Sequence, residues 1–142
     1  MNVVVDASVA IKWFFRLRED ERDIDAALEL LRGVLDDRVR LIQPPHFIAE
    51  MGAVLAREMP DTAEAALKDL LDIEMRLVSD EDVYTTAVSL AVHLQHHLFD
   101  TLYHAVALES VDAVLVTADV RYCNRAAGIG RVMRLADFAV QQ

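Results

Sequence analysis

One cysteine, Cys123, stands among 142 residues, so no disulfide can form within the chain. That excludes the small secreted scaffolds in which cross-links replace a hydrophobic core. Glycines number four, and Gly33, Gly52, Gly128 and Gly130 match neither a dinucleotide-binding fingerprint nor a P-loop. No apolar stretch approaches the ~18 residues that span a bilayer. Met1 to Asp6 has neither the basic cluster nor the cleavage site of a secretory signal, and Asp6 interrupts the apolar run early. The expected location is the cytoplasm, with no membrane partner. Basic side chains are scarce as well: 14 Lys and Arg face 24 Asp and Glu, a net charge of -10. Nucleic-acid binders are ordinarily basic, which weighs against that class. It does not exclude it, because a site that gathers carboxylates for a cation adds negative charge, and the bound cation then changes its local sign.

What is present is a globular composition, 54% hydrophobic and 27% charged, of a length that suits one domain over residues 1–142. Val3-Val4-Val5 reads as a strand buried on both faces, ending at Asp6, with a short helix from Ala7 to Phe15 behind it. Leu17 to Asp23 is a charged connection. Apolar residues at 24, 27, 28, 31, 34 and 35 then predict an amphipathic helix. Arg40-Leu41-Ile42 is a second strand, closed by Pro44-Pro45, where a helix to about Glu58 can begin. After the break at Pro60-Asp61-Thr62 another helix runs to about Glu74. Arg76-Leu77-Val78 predicts a third strand, followed by a helix over Glu81 to His96 and another that Asp100 opens. Ala113 to Val116 is the clearest strand, ending in Thr117-Ala118-Asp119; a helix over Arg121 to Ala127 and a weak strand at Val132-Met133 close the chain. Strands alternating with helices imply a parallel sheet covered on both faces.

In such a sheet, sites form beyond the carboxyl ends of the strands. Asp6 and Asp119 each end a buried strand and belong at that edge. Asp100 opens a helix that follows another helix, not a strand, so topology alone does not bring it there. Glu50 lies on the border of the apolar stripe Phe47, Ile48, Met51, Val54 and Leu55, where a half-buried carboxylate is costly unless paired with a cation. Ser8 and Thr117 stand two residues from Asp6 and Asp119 and suit the orientation of a carboxylate or a metal-bound water. The bland reading is helix capping by aspartate and a solvated flank for Glu50. Spacing alone leaves both readings open.

Other chemistries fit less well. His93 and His97 share a helix face, with His96 and His104 nearby, but no Glu follows His93 as a zinc-protease motif requires. Asp6-Ala7-Ser8 lacks the second aspartate expected of a phosphoaspartate enzyme. Lys12, Arg16, Arg18 and Arg121 lie near the expected site edge as candidate phosphate contacts, though a solvated face is the ordinary role of such charges. Trp13 is a candidate for stacking on a base, with packing beside Phe14 the commoner role.

The stretch from Val3 to Phe14, Glu50 in a helix after Pro44-Pro45, the block Phe99 to Leu108 and the block Leu115 to Tyr122 resemble, in order, the motifs of PIN-domain proteins of the VapC toxin type. The resemblance implies a three-layer α/β/α PIN-like domain around a short parallel sheet of four or five strands. It implies that Asp6, Glu50, Asp100 and Asp119 are the catalytic and metal-ligating residues, holding Mg²⁺ or Mn²⁺, with Ser8 and Thr117 behind them. The implied activity is endonucleolytic hydrolysis of RNA to a 5′-phosphate and a 3′-hydroxyl. The implied partners are an antitoxin that blocks the site and a second copy of the chain in a homodimer. The alternative is a catalytically inactive PIN-like module that binds RNA or a partner. His104 departs from the pattern, standing where an apolar residue is expected; a packed, hydrogen-bonded histidine accounts for it.

Overall fold

A computed structural model describes residues 1–15 and 23–139. Arg16, Arg18 and nearly all of the charged connection lie outside the described residues. The elements run β1 (Asn2–Val5), α1 (Ala7–Phe14), α2 (Ile24–Leu35), β2 (Arg40–Gln43), α3 (His46–Glu58), α4 (Ala63–Leu71), β3 (Met75–Leu77), α5 (Glu81–Leu94), α6 (Leu98–Glu109), β4 (Ala113–Thr117), α7 (Val120–Ala126) and β5 (Val132–Arg134), closed by a 3₁₀ turn at Leu135–Asp137.

The five strands form one sheet in the order β3-β2-β1-β4-β5, and every pair in it is parallel. Val3, Val4 and Val5 are fully buried at its centre, where β-branched side chains suit a strand covered on both faces. The chain steps outward from β1 to β2 and β3, then crosses back to lay β4 and β5 on the other side. Right-handed crossovers put the helices of the first set on one face and those of the second on the other. The packing agrees: α1 meets α2 and α3, α3 meets α4, and α5 meets α6. The result is a three-layer α/β/α fold. The direction of the chain reverses between β1 and β4, which makes the carboxyl ends of these two strands the switch point where α/β sheets open a crevice.

Helix α6 is the packing centre of its layer. Every residue from Thr101 to Ala107 is buried, and the helix contacts α5, β1, β2 and β4. Its run of small and apolar residues is what a helix enclosed on all sides requires. Only three residues, Ser110 to Asp112, join α6 to the amino end of β4. Twelve helical residues span about 18 Å, enough to carry the first turn of α6 to the opposite, carboxyl edge of the sheet. Asp100 therefore reaches the switch point through the strand that follows its helix.

Boundaries differ from expectation at two helices that matter. Helix α5 stops at Leu94, where Gln95 enters the left-handed region (φ 50°), so His96 and His97 lie outside it. His97 becomes the N-cap of α6, its ring accepting the Phe99 N–H at 3.3 Å, and Asp100 falls inside the first turn and does not open the helix. No helix among the described residues is long and apolar enough to cross a membrane.

Candidate active site

The register of the central strands sets the first contact. Val5 pairs with Val116, so the next residues, Asp6 and Thr117, come side by side at the carboxyl edge. Thr117 Oγ1 donates to Asp6 Oδ2 at 2.5 Å, and Ser8 Oγ donates to Asp6 Oδ1. Each hydroxyl is itself held by the main chain: Asp119 N–H donates to Thr117 Oγ1 and Ala118 N–H to Ser8 Oγ, both at 3.0 Å. Two parallel relays from the end of β4 thus clamp the two oxygens of one carboxylate, and each oxygen keeps a further lone pair. Asp6 occupies the N-cap position of α1 yet makes no side-chain cap bond. Asp119 does cap: its Oδ1 accepts the Tyr122 N–H at 3.0 Å.

Glu50 comes from α3. Its Oε2 accepts the hydroxyl of Tyr103 from α6 at 2.5 Å, and His46 Nε2 lies 3.8 Å from Oε1. Asp100 Oδ2 lies 2.9 Å from His96 Nε2. Helices from the two outer layers therefore meet over the sheet edge, with the Glu50–Tyr103 bond joining them.

The electrostatics show that these carboxylates share one space. Burial, opposed by the Ser8 and Thr117 hydrogen bonds and reinforced by the charges of Asp100 and Asp119, raises the Asp6 carboxyl from its ordinary value to about 6. Burial pushes the Tyr103 hydroxyl far above its ordinary value, with the Glu50 hydrogen bond and charge, Asp6 and Asp100 adding to it. Tyr122 is raised in the same direction by burial and then by Asp100, Asp6 and Asp119. Three carboxylates thus act on one phenol and three on the other, with Asp6 and Asp100 common to both. Negative charge converges here.

Among the described residues, no three His, Cys, Asp or Glu side chains have their donor atoms arranged to hold a metal ion. The carboxylates are turned to neighbouring donors: Asp6 to Ser8 and Thr117, Glu50 to Tyr103, Asp100 to His96, Asp119 to the Tyr122 amide. The donor set nevertheless fits a hard divalent cation, being all oxygen and anionic. Burial, with the charges of Asp100 and Asp119 adding to it, disfavours the charged form of Asp6, and a cation would offset that cost.

The basic candidates separate. Lys12 is buried, 7% exposed, so it belongs to the packing of α1 and not to an open face. Arg121 is exposed in the first turn of α7. Trp13 is packed, with its indole N–H donating to Ala27 O at 2.9 Å. His104 is fully buried between the Tyr122 hydroxyl (2.9 Å) and Gly130 O (2.8 Å), and burial lowers its pKa. Sequence gives no signal for Tyr103 and Tyr122 as partners of the acidic residues, since an aromatic ring in an apolar helix reads as core, and it groups His96 with the other histidines and not with Asp100. A cleft lined by Asn2, Asp37, Arg40, Glu74 and Arg76 lies at the opposite, amino edge of the sheet and holds none of the four candidate ligands.

The PIN domain family profile matches residues 3–128, nearly the whole chain. The chain belongs to the PIN domain family. Among solved structures, VapBC-1 from nontypeable Haemophilus influenzae is similar to this PIN domain with a TM-score of 0.70. The match covers 96% of this chain and 100% of that one at 17% sequence identity, a likeness of fold alone. No curated protein matches this PIN domain in sequence.

Proposed function

We propose that this PIN domain is a metal-dependent endoribonuclease that hydrolyses RNA phosphodiester bonds and serves as the toxin of a toxin–antitoxin pair. The observation that supports the reading is the gathering of acidic residues at the switch point of the sheet, where burial and then the charges of Asp100 and Asp119 raise the Asp6 carboxyl. Membership of a family that generally consists of nucleases supports it. Asp6, Glu50, Asp100 and Asp119 are the residues that would hold Mg²⁺ or Mn²⁺. A bound cation of that kind acidifies a water and polarises the scissile phosphate.

The chain's own groups do the rest. Ser8 and Thr117 fix the plane of the Asp6 carboxylate and leave each oxygen a further lone pair. Tyr103, kept protonated by its surroundings, orients Glu50, which is then placed to take a proton from the nucleophile. Arg121, exposed beside Asp119, is a phosphate contact. The likeness of fold to VapBC-1 supports an antitoxin partner that covers the site. A homodimer is supported by α5, which leaves Tyr84, Val88 and Val92 exposed at four-residue spacing.

A second reading, a PIN domain that binds RNA or a partner without cutting, is favoured by the carboxylates being turned to protein donors. The separating experiment incubates antitoxin-free protein with structured RNAs in Mg²⁺, Mn²⁺ or chelator, alongside Asp6→Asn and Asp100→Asn. Cleavage that needs the cation and disappears in both variants is expected. Equal cleavage by all three proteins marks a contaminating nuclease and removes the proposal.

A further inference from the structure

Helix α7 turns a row of residues toward the first turn of α6. Asp119 caps the helix, and Tyr122, three residues on, sets its ring edge-on to His96, with centroids 4.8 Å apart at 63°. Arg125, one turn further, donates through Nη1 to Leu94 O and Gln95 O, both at 3.3 Å, and contacts His96 Nδ1 at 3.4 Å. The first two bonds satisfy carbonyls that the end of α5 would otherwise leave open. The third has a consequence for chemistry. A carboxylate accepts only, so the Nε2 that faces Asp100 carries a ring proton, and the Arg125 guanidinium, which has donors only, favours a bare Nδ1 on the other side of the ring. Nε2 lies 2.9 Å from Asp100 Oδ2, so His96 donates to that carboxylate.

The ring that wedges His96 is itself anchored in the core. The Tyr122 hydroxyl donates to His104 Nδ1 at 2.9 Å, and His104 Nε2 donates to Gly130 O at 2.8 Å. His104 has no exposed surface, and both of its nitrogens are spent on these two bonds. The side chain of Asp100 is half exposed, at 50%, and without a fixed donor it has room to rotate.

We propose that His96 is a positioning residue for the metal site: with Arg125 against its Nδ1 favouring the Nε2–H tautomer and its ring wedged by Tyr122, it holds one oxygen of Asp100 and leaves the other for the divalent cation. His104, which fits no family motif, is the anchor at the far end of this chain of contacts. The inference rests on the functional reading above and adds to it the residues that orient one of the proposed ligands. Outer residues that orient a metal ligand commonly matter about 10–100-fold in affinity.

Three proteins test it: His96→Gln, which keeps a donor near the Nε2 position; His96→Leu, which keeps bulk without a donor; and Arg125→Met, which removes the tautomer control and leaves the ring. Long-range proton–nitrogen NMR on metal-free wild type is expected to show His96 as the Nε2–H tautomer, and Arg125→Met to show a mixture. Mn²⁺ titration of chelator-stripped protein is expected to give His96→Gln an affinity within about threefold of wild type and His96→Leu a loss of about 10–100-fold. Wild-type Mn²⁺ affinity in both His96→Leu and Arg125→Met overturns the positioning role and leaves the nuclease reading standing. A wild-type protein that binds no Mn²⁺ removes both. An Nδ1–H tautomer in wild type overturns the role of Arg125, and with it this inference, whatever the metal result.

Discussion

Asp6 receives two hydroxyl hydrogen bonds and still keeps its proton up to about pH 6, because burial and two neighbouring carboxylates outweigh them. The folded-state value lies above the ordinary 3.8, so the folded protein binds the extra proton between those limits. Stability tied to this group is therefore full below the unfolded value and is lost as the pH rises through about 6. In metal-free protein, Asp6→Asn should raise stability near pH 7 by on the order of 1–2 kcal/mol, once partial exposure to water is allowed for, and much less near pH 4. Urea unfolding at the two pH values checks it. Tyr103→Phe removes the donor that orients Glu50 while keeping the ring that packs edge-on to Phe47. Cleavage should fall about 10–100-fold with stability little changed, read as kcat in single-turnover assays against the melting temperature. Asp6, Asp119, Ser8 and Thr117 were legible as neighbours because two buried strands point them at one edge. Tyr103 and His96 were not, because the acidic partners that give them a role are 53 and 4 residues away and on different helices or loops.

At the scale of elements, the crevice beside Asp6 depends on a side chain that acts as backbone. The paired register of β1 and β2 runs only through Asn2 and Val3. Beyond it the fully buried Gln43 amide takes over, accepting the Val5 N–H at 2.8 Å and donating to Val5 O at 2.7 Å. Gln43→Leu leaves both backbone groups without partners and should cost about 2–5 kcal/mol, measurable as a shift in the urea midpoint at constant slope. The alternation of strands and helices was readable from periodicity, and Ile24–Leu35 was bounded by its apolar spacing alone. The place of Asp100 is not legible in this way, because α6 follows another helix and the short link to β4 determines where it begins. The end of α5 was misplaced for a local reason: Gln95 adopts a left-handed conformation that no glycine or asparagine announces.

For the whole molecule, a net charge of -10 and a convergent acidic edge make the folded state the form that gains from a divalent cation. Mn²⁺ at about 100 times its dissociation constant should stabilise the protein by ~2.7 kcal/mol, raising the melting temperature of wild type but not of Asp100→Asn. Val92 is 74% exposed on the apolar face of α5, so Val92→Glu should shift the protein toward monomer in sedimentation if that face joins two copies. On the proposed function, Asp6, Asp100 and Asp119, with Glu50, form one cation site. Calorimetric titration of Mn²⁺ into chelator-stripped protein tests it most directly, on wild type and Asp6→Asn at about pH 7.5 and about pH 5. Saturable binding is expected at the higher pH, about tenfold weaker binding at the lower as Asp6 takes up its proton, and none in Asp6→Asn. No binding by wild type, or equal binding by the variant, contradicts it.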